Sequence, residues 1–502
     1  MDFSYIYAEM TPLSIFSVNL LSEHLLLLAS VLIFIAILVT KVGSRLGAPS
    51  LLLFLLLGMA FGPDGLGLHF DDYELAESIG HFAMTIILFA AGFETSLSET
   101  KPVFKAGSLL SSLGVIITVM LTGLFILFIG GKTGGYDLMA CLLLAAVMAS
   151  TDSASVFSVL REKKLRLKQN LGPLLELESG SNDPMAYMLT ILLVGFFAEG
   201  GLQSYNGWEL AFSGVLLLAL QIIVGLAVGN AVGYASKWLL ERVHFSGALT
   251  SILVLSLGFF ANGIASLLYG NGLLATYVVA IIIGNKVKLP SKKVILNFFG
   301  GFTWLMQLVM FLMLGLLARP TLMLPVLLPA ILIGLFMILI ARPASVFLCL
   351  LPFKNFSFKA KAYVSWVGLK GAGPILFALC PIVAGLERSS EMFNIVFVIT
   401  LLSLLLQGGT LGKMAGWLKL GDNEPAAPET FGLDVPEEMG MMRDHIVTEE
   451  DLSNGATLRA IHLPHGIRVM MVRRNGKFLV PHGSMELIPG DHLIIIVGES
   501  DD

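Results

Sequence analysis

Charge is what this sequence is short of. Only 13% of its 502 residues are Asp, Glu, Lys or Arg, against about 25% in a typical soluble domain. That deficit excludes a water-soluble globular protein of this size. Nucleic-acid binding is excluded as well, because there is no basic stripe and no finger spacing. Cysteine is scarce: Cys141, Cys349 and Cys380 are the whole complement, each inside an apolar run. Three thiols so placed make neither a disulfide framework nor a metal site, and they read as small buried hydrophobes. The first 24 residues lack a basic n-region, so no cleavable signal peptide is expected. A phosphate loop is missing too. Gly131-Lys132-Thr133 imitates the end of one but lacks the glycine five positions before Gly131. These gaps argue against an ATP-driven pump or other enzyme.

What is present is hydrophobicity, in 56% of residues, with a mean hydropathy of +0.84. It comes in runs of about 20 residues, the length that crosses a bilayer core. Thirteen spans are expected, at roughly 22–42, 49–62, 79–97, 107–130, 137–160, 171–198, 208–238, 248–267, 271–285, 299–318, 322–350, 362–385 and 391–418. The expected fold class is therefore an all-α polytopic membrane protein. With the N-terminus outside, the loops assigned to the cytoplasm carry twenty Lys and Arg residues. The opposite loops carry three: Lys132, Arg319 and Arg388. That bias obeys the positive-inside rule and supports an odd number of spans.

Composition changes after residue 421. Residues 1–421 form the membrane domain and residues 422–436 a polar, Pro-containing linker. Over residues 437–502 the apolar runs shrink to strand length, at Leu458–Leu463, Arg468–Arg473, Lys477–Val480 and His492–Val497. Gly466, Asn475-Gly476 and Pro489-Gly490-Asp491 punctuate them as turns. A small α+β domain on the cytoplasmic side is expected. Its core is marginal at that length, and dimerisation would help it. His462-x-x-His465 lies at a strand–turn without further ligands and carries no metal expectation.

The few charges inside the spans carry the functional reading, because each costs about 2.5–3.5 kcal/mol at mid-span. They are Asp152, Glu178, Asp183, Arg342 and Lys370, with Glu94 nearer a span end. Asp152 lies in Ala149-Ser150-Thr151-Asp152-Ser153-Ala154-Ser155, a small, hydroxylated run that interrupts the fifth span. Such a run unwinds where it lines a cavity and frees oxygens as ligands. Ser179 and Asp183 are four apart and share one helix face, offering a hydroxyl and a carboxylate to an alkali cation. Pro184 weakens the helix just behind them. Arg342 needs a carboxylate, and Glu178 is the natural partner, which leaves Asp183 free to titrate. Lys370 sits in Gly368-Leu369-Lys370-Gly371-Ala372-Gly373-Pro374, which interrupts the twelfth span as the hydroxylated run interrupts the fifth. Two broken spans seven apart suggest inverted repeats, spans one to six matched by eight to thirteen. At such a crossing Asp152 and Lys370 would neutralise the half-helix dipoles.

Thr151-Asp152, then Glu178-Ser179-x-x-Asn182-Asp183, then Arg342, then Gly368-Leu369-Lys370-Gly371-Ala372 resemble, in order and spacing, the cation:proton antiporter superfamily in its electroneutral NhaP-type branch. The likeness covers about 25–418. The tail, with Thr457-Leu458, Leu463-Pro464-x-Gly466, Arg473, Pro481-His482-Gly483 and Gly490-Asp491, resembles the TrkA-C (RCK-C) regulatory module. Together they look like the potassium/proton antiporters of the cell-volume-regulation group, which are bacterial inner (plasma) membrane proteins. The resemblance implies a homodimer that exchanges potassium or sodium ions for protons, with no cofactor except a possible nucleotide on the tail domain. It assigns Asp183 as the titrating ligand, with Ser179, the Thr151 carbonyl and Asp152 helping to bind the ion. Asn182 steadies the crossing, and Glu178 with Arg342 is a structural pair. No metal is implied beyond the transported cation. Two positions depart from the pattern: Lys370 stands where Arg is usual, and Ala90 or Ala91 stands where some relatives have a third-span acid. A rival reading is a cation channel gated by the tail. It lacks a Thr-Val-Gly-Tyr-Gly filter, and Val232-Gly233-Tyr234-Ala235 belongs to a Gly225-x-x-x-Gly229-x-x-x-Gly233 run better suited to helix packing.

Overall fold

The computed structural model describes residues 27, 29–41, 49–130, 137–152, 156–157, 160, 165–199, 207–243, 247–289, 292–423, 442–448, 451–452, 455–461, 467–474 and 477–497. Gly131-Lys132-Thr133, most of the linker (424–436), His462, His465, Gly466 and Asn475-Gly476 lie outside the described residues.

Each of the thirteen expected spans coincides with helix, the twelfth with two, which makes fourteen. In chain order these are α1 (Ala29–Lys41), α2 (Ser50–Phe61), α3 (Tyr73–Glu94), α4 (Leu97–Gly130), α5 (Leu138–Val147), α6 (Leu171–Ala198), α7 (Gly207–Arg242), α8 (Gly247–Leu267), α9 (Gly272–Lys286), α10 (Lys292–Leu317), α11 (Leu327–Cys349), α12 (Phe358–Trp366), α13 (Ala372–Val383) and α14 (Ser389–Gly408). Among the described residues seven of these are long and apolar enough to cross a membrane by length and composition, and five are shorter apolar helices. The remaining long helix, α6, has 28 residues and carries Glu176, Glu178 and Asp183. Starts are capped by side chains: Asp72 accepts from the Leu75 N–H (2.9 Å), Asp137 from Ala140 (2.8 Å) and Asn271 from Leu274 (2.7 Å). Each satisfies an N–H that the helix itself cannot reach.

Two spans are broken. Helix α5 has 10 residues, so it rises about 15 Å and reaches only about halfway through a bilayer core. The chain then leaves helical geometry through Ala149 to Asp152. In the twelfth span α12 stops at Trp366 and α13 resumes at Ala372, with Gly368 to Gly371 non-helical between them.

Close backbone approach replaces hydrophobic drive where helices pack in lipid. A Cβ on Gly58 of α2 would fall 2.3 Å from the Leu312 carbonyl oxygen and 2.8 Å from the Gly315 Cα of α10. Gly225, Gly229 and Gly233 of α7 meet Asn271, Ala275 with Val278, and Ile282 of α9 in the same way. That glycine run is a packing stripe.

The chain divides into two compact units, Met1–Lys288 with Val294–Asn423, and Leu289–Lys293 with Glu424–Asp502. Within the first, a short antiparallel pair joins β1 (Leu165–Leu167) to β2 (Gly421–Asn423), so the first linker residues are strand. The second holds a sheet of β3 (Met442–Ile446), β4 (Ile467–Arg474), β5 (Lys477–Leu479) and β6 (His492–Val497), in the order β3-β6-β4-β5 and antiparallel throughout. Its core is Val447, Ile461, Val472, Leu487, Leu493 and Ile495. The strand expected at Leu458–Leu463 is a turn where it is described. The Ala460 and Ile461 N–H groups both donate to the Thr457 carbonyl. Leu458 and Ile461 pack on the same core three residues apart, a spacing that suits a helical turn and not an alternating strand. The charged edge strand β3 had no apolar alternation to reveal it.

Candidate functional site

The two breaks meet. The Asp152 N–H donates to the Leu369 carbonyl (2.8 Å), so each interrupted segment supplies the backbone partner that the other lost. Lys370 is buried and its Nζ donates to the carbonyls of Ser150 (2.9 Å) and Ala149 (3.4 Å), just beyond the C-terminal end of α5. A cation belongs at that end of a helix. The Asp152 carboxylate lies against Gly371, immediately before α13. A Cβ on Gly371 would stand 2.2 Å from Asp152 Oδ2, so only glycine leaves the carboxylate its place. Opposite charges thus face the helix ends they complement.

α6 lies across this crossing. Asp183, half-buried, accepts a short hydrogen bond from Ser150 Oγ, and its charged neighbours are Asp152 and Lys370. One turn earlier Ser179 Oγ donates to the Thr151 carbonyl (2.8 Å). Asn182 Nδ2 donates to Thr151 Oγ1 in another short bond. Ser179, Asn182 and Asp183 therefore all engage Ser150-Thr151. Pro184 has no N–H to give Gly180, which loosens the helix at this level. The Pro184 carbonyl is held by Asn271 Nδ2 from α9 (2.9 Å). The site gathers carboxylate, hydroxyl and carbonyl oxygens, the hard donors that replace water around an alkali cation.

Glu178 points elsewhere. Its Oε1 lies 2.5 Å from Arg342 Nη2, with side-chain exposures of 2% and 9%, so no water replaces a lost partner. Gly368 makes room for the guanidinium, since a Cβ there would stand 2.7 Å from Arg342 Nε. This pair and the Asp183 cluster are separate arrangements on one helix.

Three features were not singled out by sequence reasoning. Ser150, the donor to Asp183, is one hydroxyl among several in its run. Gly373 faces the site, where a Cβ would lie 3.0 Å from Ser150 Oγ and 3.8 Å from Asp183 Oδ1. A buried polar chain fixes the backbone of Lys370: its N–H donates to Ser403 Oγ (2.9 Å), Ser403 Oγ donates to Gln407 Oε1 (2.5 Å), and Gln407 Nε2 donates to the Trp366 carbonyl (2.7 Å). Ser403-x-x-x-Gln407 in an apolar span was the available signal, because buried polar side chains in lipid need partners.

The sodium/hydrogen exchanger, transmembrane, family model matches residues 30–417, and the TrkA-C domain model matches residues 444–501. A K(+)/H(+) antiporter NhaP from Alkalimonas amylolytica is 36% identical over 480 residues, covering 95% of this chain and 81% of the relative. A K(+)/H(+) antiporter NhaP2 from Shewanella oneidensis is 36% identical over 479 residues, covering 94% and 80%. Among solved structures the sodium proton antiporter MjNhaP1 from Methanocaldococcus jannaschii shares the fold, with a TM-score of 0.67 at 24% identity over 78% of this chain and 97% of that one. With its broken-helix crossing and these matches over most of its length, the chain belongs to the sodium/hydrogen exchanger family of multi-span membrane antiporters and carries a TrkA-C domain.

Proposed function

We propose that this chain exchanges one potassium ion for one proton, electroneutrally, with both competing for Asp183. The observation that carries the reading is the junction of Asp183, Ser179 and Asn182 with the unwound Ser150-Thr151 segment. A cation bound there is held by Asp183, the Ser179 hydroxyl, the Thr151 carbonyl and Asp152, while Asn182 keeps Thr151 in register. Protonation of Asp183 removes the charge the cation needs, so the site holds one or the other. Alternating access then presents it to each side in turn. Glu178 and Arg342 are a structural pair. Lys370 holds the carbonyl end of α5.

Potassium is assigned from the potassium/proton relatives and the TrkA-C domain. Sodium is the alternative, because the oxygen donors suit it equally and the matched family is named for it. We place the protein in the bacterial inner membrane, N-terminus outside and tail in the cytoplasm, from the basic-residue bias. The domain boundaries proposed are 1–421 for exchange, 422–436 for a linker and 437–502 for regulation, with a nucleotide as the tail's ligand. We place a second copy against the apolar face of α7, where Trp208, Phe212, Val215 and Ile223 are exposed.

The test is Asp183→Asn in proteoliposomes, followed by fluorescence dequenching with potassium, sodium and rubidium across pH. Loss of cation-driven proton movement with normal insertion is expected. Normal exchange by this variant would refute the reading.

A further inference from the structure

A cavity of about 360 Å³ is lined by Glu77, Ser78 and His81 of α3, Tyr187 of α6, and Leu376, Phe377 and Cys380 of α13. It is separate from the Asp183 cluster, yet the same three helices lead there in steps of about one turn, or about 5.4 Å. On α3 the steps are Glu77, His81 with Gly80, then Met84. On α13 they are Cys380, Phe377 with Leu376, then Gly373. On α6 they are Tyr187, then Asp183. Gly373 is the inner end, since a Cβ there would lie 3.6 Å from Met84 Cε and 3.8 Å from Asp183 Oδ1.

The outer step is polar. Ser78 is exposed at the rim, and Glu77 and His81 are half-buried on one face of α3, four residues apart. Cys380 and His81 line the same cavity as Glu77. The middle step is closed. Leu376 lies so tightly on α3 that a Cβ on Gly80 would stand 2.1 Å from its Cδ1. The Tyr187 ring packs at 5.5 Å from Phe377 and 5.6 Å from His81. A half-buried acid at the mouth of a cavity raises the local concentration of cations there. One that lies two turns from the transport carboxylate, behind a single apolar layer, is placed to receive what that carboxylate takes.

We propose that the Glu77–His81 cavity is an antechamber where monovalent cations and protons wait before reaching Asp183, with Leu376 seated on Gly80 as the gate. It opens at the N-terminal end of α3, the outer side in the orientation given above. The proposal rests on Asp183 as the exchange site.

Two measurements test it. In the first, Ser78→Cys is placed in a chain whose three native cysteines are replaced (Cys141→Ala, Cys349→Ala, Cys380→Ser). It is treated in right-side-out vesicles with a membrane-impermeant, positively charged methanethiosulfonate, and labelling is confirmed by mass. Exchange is expected to fall at least about tenfold, because a fixed cation and added bulk then sit over the mouth. In the second, Glu77→Gln is expected to raise the half-saturating outer cation concentration about fourfold, as loss of one nearby charge implies, with the maximal rate within about twofold. Fully labelled protein that exchanges at its untreated rate would overturn the antechamber, as would an unchanged half-saturation in Glu77→Gln. If Asp183→Asn still abolishes exchange in the same vesicles, the exchange site stands and only the antechamber falls.

Discussion

Breaking the Glu178–Arg342 pair is the perturbation whose outcome the structure fixes most tightly. Arg342→Met strands a carboxylate that is 1% exposed, and Glu178→Met strands a guanidinium that is 7% exposed. Removing one member of such a pair costs about 3–5 kcal/mol, because the survivor keeps its desolvation penalty and loses its partner. The upper half of that range applies here. The contact is 2.5 Å and both side chains are nearly sealed. Gly368 packs directly against the Arg342 side chain. Replacing both together, as Glu178→Met with Arg342→Met, removes both charges and keeps the volume. That variant is expected within about 1–2 kcal/mol of the parent. A double-mutant cycle from equilibrium unfolding in mixed micelles is thus expected to give a coupling of about 3 kcal/mol or more, and the double variant is expected to transport, since Asp183 is untouched. Simple additivity of the two single costs would refute the structural assignment. So would a stable double variant that no longer exchanges, because it would put Glu178 in the ion path.

Other positions give simpler expectations. Gly371→Ala forces a Cβ onto Asp152 and is expected to abolish exchange by dequenching assay while the protein still inserts. Ser150→Ala removes a hydrogen bond to a charged group, typically about 1.5–3 kcal/mol, and is expected to weaken cation half-saturation by about tenfold or more. Lys370→Arg is expected to keep fold and exchange, while Lys370→Met leaves the Ala149 and Ser150 carbonyls unpaired and is expected to lower the unfolding midpoint and the rate together. In the tail, burial by itself works to raise the Asp491 carboxyl, but the Arg474 and Ile488 hydrogen bonds hold it below the ordinary carboxylate value. A carboxyl depressed in the folded state contributes stability above its unfolded pKa of about 3.9 and loses it as pH falls through the lower folded value. Limited proteolysis of the full chain is therefore expected to open the tail below about pH 4, and Asp491→Asn is expected to open it already at neutral pH.

The membrane fold was largely legible because lipid imposes a length. Runs such as Leu138–Val147 and Leu327–Cys349 cannot be anything else when the whole chain is so apolar. The two breaks were legible because glycine, proline and clustered hydroxyls are poor lipid-facing helix. The meeting of Glu178 with Arg342 followed from elimination, since a buried guanidinium had few acids to choose from. What stayed hidden depended on direction in space. Ser150 was indistinguishable from Thr151 until α6 was laid across the run. The Ser403–Gln407 chain serves a backbone N–H, which no side-chain pattern announces. The short apolar run at Leu458 to Ile461 reads as a strand, yet Leu458, Arg459 and Ala460 favour a helical turn, and the three-residue spacing of Leu458 and Ile461 decides it.

The main-chain bond from Asp152 to Leu369 has a consequence for how this protein can be rebuilt. Two segments more than 200 positions apart in sequence are each the missing rung of the other's ladder. They are therefore a matched set, like two halves of a clasp. A chimaera that imports only the fifth span from a relative inherits an N–H whose acceptor was shaped for another neighbour. One that imports the fifth and twelfth spans together brings its own fastening. Selectivity is expected to transfer between homologues by paired transplantation of these spans and to be lost, with the exchange itself, when either travels alone.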